Sequence, residues 1–264
     1  MDLMQHALRA GRSASTPQTP SPGATIVVGG GGALGSVVLE ALLAGRSFAP
    51  VHVVVTQEFH ATVQGLHTLL APAFEDDQSG APAATTGIVV FDRERRANGR
   101  EAAFARPQPA QLPAIARWLQ RRGVRHLIVV LPHDAARLPQ ALKAGLANLD
   151  EHAVAALGFE HVVFMRSAQA PADAASRGLQ RVADLVLAQL RLMTPLRDQP
   201  VRARKVAQLV AALARRLPAA TAGTRVMAPE WIWHAAQTGD LDALALDWLE
   251  GREPPPARAA RMRM

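Results

Sequence analysis

The sequence predicts an α/β fold, a doubly wound parallel sheet with helices on both faces and a small helical extension at the C-terminus. Two observations favour it. Short apolar runs rich in β-branched residues recur along the 264 residues, and amphipathic helical patterns lie between them. Strands of a parallel sheet are buried on both faces, so they form continuous apolar runs. Alternation of such runs with helices implies right-handed crossovers in one layered domain.

Five apolar runs are predicted as the main strands, with a short strand and a last strand after them. They are Thr25–Val28, Val51–Thr56, Gly87–Asp92, Arg125–Pro132 and His161–Ser167, then Leu190–Met193 and Arg225–Pro229. Helical patterns follow the first strand as far as Leu43 and recur at Ala110–Arg122, Leu138–Leu157, Ser176–Gln189, Arg202–Leu217 and Asp240–Leu249. We interpret Thr62–Leu70 as helical, Glu75–Thr86 as a loop, and Arg93–Pro109 as a polar segment broken by prolines. Glycines follow two of the helices, as is common at helix C-termini.

The domain organisation is predicted from composition. Residues 1–22 are rich in Ser, Thr and Pro and are expected to be a flexible leader without a signal peptide. Residues 23–236 would form the main domain, and 237–264 a C-terminal helix and basic tail. The absence of cysteine excludes disulfides and thiol nucleophiles and fits a cytoplasmic protein. No apolar run approaches the ~20 residues of a membrane helix, so no membrane partner is expected.

The net charge of +7 does not by itself indicate nucleic-acid binding. The charge comes almost entirely from arginines that are scattered over predicted helix faces, which is typical of a solvated surface. No basic stripe interleaved with aromatic residues and no nucleic-acid motif is present. A nucleic-acid partner is therefore not expected.

The glycine-rich loop after the first strand is the most informative feature of the chain. Gly30-x-Gly32-x-x-Gly35 fits the dinucleotide fingerprint, and the same loop fits a variant that starts at Gly29. The first glycines would allow a tight turn. Gly32 would let a pyrophosphate approach the backbone, and Gly35 would let the helix pack closely on the strand. The phosphates would bind the N–H groups at the helix N-terminus, including those of Ala33 and Leu34. The alternative is a scaffold that keeps its glycines for packing alone.

The chain resembles the atypical short-chain dehydrogenases/reductases of the NmrA-like branch. The glycine loop, the strand that ends in Arg166-Ser167-Ala168 and the turn Leu192–Arg197 carry the resemblance, and only the loop is specific. It implies a Rossmann domain that binds NAD or NADP. Enzymes of the superfamily use a tyrosine and a lysine four residues later for proton transfer, with a serine that orients the substrate. Ser167 falls at the serine position.

This chain contains no tyrosine, and Arg181 is the nearest cation on the helix that would carry the pair. An arginine stays protonated and does not readily shuttle protons. Standard reductase activity is therefore not expected. His133, after the fourth strand, could replace the tyrosine as acid and base beside Ser167, or it could be a polar loop residue that caps the next helix.

The remaining cofactor contacts are expected at the ends of later strands. Thr56 or Gln57 could bind the ribose, which leaves NAD and NADP undecided. Asp92 resembles the family's acidic residue near the adenine ring and could equally be a helix cap. Leu131 and Pro132 complete the predicted cofactor-binding set. No metal site is expected, because His60 and His67 have no third ligand at metal spacing.

Three functions remain open at this point. The favoured one is a dinucleotide-binding protein that senses its cofactor or binds a protein partner, as the resemblance to NmrA-like regulators implies. The second is an NAD(P)H-dependent oxidoreductase or isomerase that uses His133 and Ser167. The third is a structural subunit whose groove holds no ligand. The C-terminal helix could serve a homodimer in any of these cases.

Overall fold

The computed structural model describes residues 23–45, 47–48, 50–57, 63–71, 74, 83–92, 101–132, 149–167 and 203–254. Within these ranges seven parallel strands form one sheet with the order β3-β2-β1-β4-β5-β6-β7. The strands are β1 Thr25–Val28, β2 Val51–Val55, β3 Leu66–Leu70, β4 Thr86–Val90, β5 His126–Pro132, β6 His161–Ser167 and β7 Gly223–Met227. The predicted parallel sheet is confirmed. The strand order reverses between β1 and β4, which creates a crevice at their carboxyl ends.

The prediction of a helix over Thr62–Leu70 is wrong for its described part, because Leu66–Leu70 is β3 and pairs in parallel with β2. Val63, Leu66 and Leu70 recur at helical spacing, and a short segment of this kind fits either period. β3 lies at the edge of the sheet, so its residues are half-exposed or exposed and lack the continuous apolar run of a central strand. Pairing with β2 decides the conformation.

Helices follow most of the strands. They are α1 Gly32–Ala44, α2 Leu112–Arg121, α3 Leu149–Ala155, α4 Ala203–Arg216, α5 Pro229–Gln237 and α6 Leu241–Leu249, with short 3-10 turns at Glu101–Ala103, Pro109–Gln111 and Leu217–Ala219. Of the predicted helix Leu138–Leu157, the structure describes only the residues from 149 onward, and α3 covers Leu149–Ala155 of these. The predicted helix Ser176–Gln189 and strand Leu190–Met193 lie outside the described residues. The last strand is β7, and it ends at Met227 because the chain turns into α5 at Pro229.

The core has two apolar layers, one on each face of the sheet. Alternate residues of each central strand face opposite layers, so Val27 belongs to one cluster and Ile26 to the other. The first cluster contains α1, α4, α5 and α6, and the second contains α2. Val154 of α3 also lies in the second cluster. Helices on both faces confirm the doubly wound architecture, and α6 packs into the same layer as α1. None of the helices in the described ranges has the length and apolarity to cross a membrane.

Candidate functional site

The glycine loop makes a tight turn between β1 and α1. Gly29 and Gly32 have φ angles of 90° and 83°, in the left-handed region that favours glycine. A Cβ added at Gly29 would collide with the carbonyl oxygen of Val90, and one added at Gly35 would collide with that of Gly29. The turn and the close packing of α1 on the sheet therefore require these glycines.

The N-terminus of α1 is capped by a carboxylate of the same chain. The backbone N–H of Leu34 donates to Oδ2 of Asp92 over 2.7 Å. Gly31, at the N-cap position, has no side chain that could accept this bond. A Cβ at Gly32 would lie 2.5 Å from the same Asp92 oxygen. Asp92 thus occupies the position at which the sequence predicts a pyrophosphate, since helix N-termini bind anions through these N–H groups.

Asp92 follows the fourth strand of the chain and not the third, because Leu66–Leu70 is a strand. β4 pairs directly with β1, which brings residues after β4 next to the glycine loop. The helix-cap interpretation of Asp92 agrees with its hydrogen bond. A contact with adenine stays a prediction.

A short stretch, residues 102–107, runs along the carboxyl end of β2, and we call it the covering segment. Phe104 pairs with Val55 in an antiparallel bridge. The N–H of Thr56 donates to the carbonyl of Ala103 over 2.7 Å, and the N–H of Ala105 donates to that of Val54 over 3.1 Å. Since β1 ends at Val28, the covering segment takes the place beside β2 that a longer β1 would fill.

Thr56 uses its side chain in the same contact. Its hydroxyl lies 3.0 Å from the carbonyl oxygen of Ala102 and 3.2 Å from that of Ala103, and it donates to them. Gln57, the other candidate for the ribose, is exposed. In this conformation Thr56 therefore binds the covering segment.

The covering segment also lies against the glycine loop. A Cβ at Gly30 would be 3.4 Å from Cδ1 of Phe104, and one at Gly29 would be 3.3 Å from Cδ of Pro107. Asp92 approaches the same loop from β4. Residues of the chain itself thus contact the glycine loop at the strand-order reversal, where open α/β sheets bind ligands.

The remaining predicted site residues that are described lie at the same edge of the sheet. Leu131 and Pro132 end β5, Ser167 ends β6, and Pro132 is in register with Ser167. Leu131 is partly buried against the second apolar cluster. His133 lies outside the described residues. The sheet therefore brings both strand ends to the edge that carries the glycine loop, and the catalytic roles of His133 and Ser167 stay predictions.

A half-buried ion pair at this edge has no signal in the sequence. The Nη2 atom of Arg166, the residue before Ser167, lies 3.2 and 3.1 Å from the two carboxylate oxygens of Glu151. The Glu151 side chain is only 5% exposed. The pair joins α3 to the end of β6, and these elements meet only in the folded chain.

Several solved structures are similar in fold. A nucleoside-diphosphate-sugar epimerase of Staphylococcus aureus has 13% identity and a TM-score of 0.45, over 77% of this chain and 70% of that one. An NADPH-dependent quinone oxidoreductase of Escherichia coli has 12% identity and a TM-score of 0.44, over 88% and 96%. The Bordetella bronchiseptica enzyme WbmH, in complex with NAD+, has 11% identity and a TM-score of 0.42, over 88% and 83%.

No protein-family profile matches the chain, and no curated protein sequence matches it. The class of the protein therefore follows from its own topology, which is that of a Rossmann-type α/β domain.

Proposed function

We propose that this chain is an NAD(P)-binding Rossmann protein without standard reductase activity, and that it responds to its cofactor by a change in conformation. In this proposal the dinucleotide displaces Asp92 and the covering segment from the crevice. The observation that carries it is the glycine loop, whose anion-binding N–H is held by an internal carboxylate. A protein partner would then distinguish the closed chain from the open, cofactor-bound one.

The glycine loop supports the binding part of the proposal. The turn at Gly29 and Gly32 leaves backbone N–H groups at the start of α1, and their direction toward an anion is visible in the bond to Asp92. A helix N-terminus carries a partial positive charge that favours a phosphate at this position. The pyrophosphate would replace one anion by another on the same N–H group.

Several of the described contacts that close the crevice lie at the exposed end of β2, which supports the conformational part. Four donors, the backbone N–H groups of Leu34, Thr56 and Ala105 and the hydroxyl of Thr56, hold Asp92 and the covering segment in the contacts described above. Each such bond contributes about 1 kcal/mol net. Opening then costs at least the free energy of these bonds, and the apparent affinity for a dinucleotide falls in proportion to the fraction of chains that are open. This cost couples cofactor binding to the position of the segment.

The residue content argues against ordinary ketone or alcohol reduction. The chain has no tyrosine, and its lysines are Lys143 and Lys205. Lys205 lies on α4 and donates to the carbonyl of Thr238 over 2.8 Å. A positioned acid or base contributes about 10²–10⁴-fold to such reactions. A role that needs binding and no proton transfer fits this residue content best.

The test is a titration of the full chain with NADH and, separately, NADPH, followed by nicotinamide fluorescence. Hydrogen exchange of the same samples reports the backbone bonds of Thr56 and Ala105. We expect one of the two dinucleotides to bind and to speed exchange at these amides, because their acceptors move away. Absence of binding by either dinucleotide, or binding that leaves both amides protected, would refute the proposal.

A matched pair of variants separates the covering segment from general effects. Thr56→Val removes the hydroxyl bonds to Ala102 and Ala103 and keeps the side-chain shape, so we expect about 2- to 10-fold tighter binding, with Gln57 as the residue that contacts the ribose. Thr85→Val removes a hydroxyl that bonds Ala24 at the opposite edge of the sheet. This control should bind as the wild type does.

A further inference from the structure

A second polar cluster lies at the amino edge of the sheet, opposite the crevice. His126 is the first residue of β5 and His161 the first of β6, and the two are paired in register. Both are buried, with 4% and 0% of their surface exposed. Buried imidazoles require partners for their nitrogen atoms. The two histidines lie at the opposite end of the sheet from the glycine loop, so the proposed dinucleotide binding gives them no role.

The geometry fixes the protonation of one ring. His161 Nε2 lies 3.1 Å from the carbonyl oxygen of Ala220, which can only accept, so Nε2 carries the proton. The Nδ1 atom of His161 therefore presents a lone pair. It points at Nδ1 of His126, which is 2.9 Å away. A histidine whose second nitrogen donates to a backbone carbonyl is the usual arrangement of a metal ligand.

A carboxylate completes the cluster. One ligand atom each of His126, Glu160 and His161 lie within 4.8 Å of one another. Among the described residues this is the group of three such side chains close enough to share an ion. Glu160 is 40% exposed and meets Arg125 at 3.8 Å, an exposed pair of the kind that contributes little. Glu160 can therefore turn from the guanidinium to an ion.

We propose that His126, His161 and Glu160 bind a divalent transition-metal ion, with zinc as the best fit. Two imidazoles and one carboxylate are ligands that zinc accepts, and water can take the fourth position beside the exposed carboxylate. For this the proton on Nδ1 of His126 moves to Nε2 of the same ring, so that both neutral imidazoles present an Nδ1 lone pair to the ion. At Zn–N distances of about 2.0–2.1 Å a tetrahedral ion separates two nitrogen atoms by roughly 3.3 Å, so the two Nδ1 atoms, now 2.9 Å apart, have to part and both rings have to turn until their lone pairs meet at the ion.

Burial of His126 favours its neutral form, as metal binding requires. Burial is the main cause that lowers the pKa of His126, and the neighbouring His161 and Arg125 lower it further while Glu160 raises it. The ion would connect the amino ends of β5 and β6 and, through the carbonyl of Ala220, the turn before β7. This position lies at the amino ends of the strands, away from the glycine loop.

The test is zinc binding to the full chain after treatment with a chelator, measured by competition with a chromophoric zinc indicator. Binding of cobalt(II), followed by its visible absorption, reports a tetrahedral site. We expect wild-type chain to bind one zinc ion at this cluster and to melt at a higher temperature with it. Glu160→Gln and His126→Gln should each weaken binding about tenfold or more.

His152→Gln is the matched control, because His152 is exposed on α3 and lies outside the cluster. It should bind zinc as the wild type does. If His126→Gln does not fold, the zinc affinity of the surface variant Glu160→Gln is by itself the test of the proposed site. Failure of the wild type to bind zinc, or equal binding by Glu160→Gln and the wild type, would overturn the proposal.

Discussion

Substitution of Asp92 by alanine should lower the stability of the free chain and strengthen dinucleotide binding. The bond from the Leu34 N–H to Asp92 Oδ2, 2.7 Å long, is a charge-assisted cap of α1. Loss of a helix N-cap costs about 0.5–2 kcal/mol, so we expect the free energy of unfolding to fall by about 1 kcal/mol. The same carboxylate blocks the N–H that a pyrophosphate would use.

The gain in affinity follows from the same bond. In the wild type the ligand has to break it and to place its own negative charge near a carboxylate. If these effects amount to about 1–2 kcal/mol, their removal lowers the dissociation constant about 5- to 30-fold. Asp92→Asn keeps an oxygen that can accept from Leu34 but loses the charge, so it should lie between the wild type and Asp92→Ala.

The assay combines two measurements on the same three proteins. Urea unfolding gives the free energy of unfolding without ligand, and nicotinamide fluorescence gives the dissociation constant of the dinucleotide. Opposite changes in stability and affinity are the diagnostic result, because a general folding defect would weaken both. If Asp92→Ala binds no better than the wild type, Asp92 does not compete with the ligand and our interpretation of the crevice is wrong.

Three further predictions concern the fold around the site. The pKa of His52 is lowered, mainly by burial and also by the nearby His67, so the unfolded chain takes up a proton that the folded chain does not. Stability is therefore lost as the pH falls through about 6.5, and His52→Val should reduce the fall in melting temperature between pH values of about 7.5 and 5.5. Arg166→Ala leaves the buried carboxylate of Glu151 without this guanidinium and should cost about 3 kcal/mol in urea unfolding. Gly35→Ala should destabilise the chain by about 2 kcal/mol or more in the same assay, because its Cβ would collide with the backbone of the glycine loop.

Two of these three predictions have a matched control variant. Gly239 has open space around it and no unusual backbone angle, so Gly239→Ala should leave stability nearly unchanged. Arg252 is 62% exposed and pairs with surface carboxylates, so Arg252→Ala should cost less than about 1 kcal/mol. Equal losses in Arg252→Ala and Arg166→Ala, or an unchanged pH dependence in His52→Val, would contradict the reasoning for that residue.

The sequence predicts the central strands well and the edge of the sheet poorly. Thr25–Val28 and the runs at β5 and β6 are buried on both faces, so their composition indicates strands without knowledge of their neighbours. Leu66–Leu70 is half-exposed, and its spacing fits a helix as well as a strand. Only the pairing with β2 makes it a strand, and pairing between distant segments has no local signature.

Local backbone geometry and periodic burial depend on residues that are close in the chain, so the class of the fold and the glycine loop can be predicted from the amino-acid sequence. The contacts made with the glycine loop depend on long-range packing. Asp92 and Leu34 are 58 residues apart, and Thr56 and Ala102 are 46 residues apart, so no local pattern brings them together. The same holds for His126 and His161, which meet at the opposite edge because adjacent parallel strands start in register. The sheet is what places distant polar groups within bonding distance.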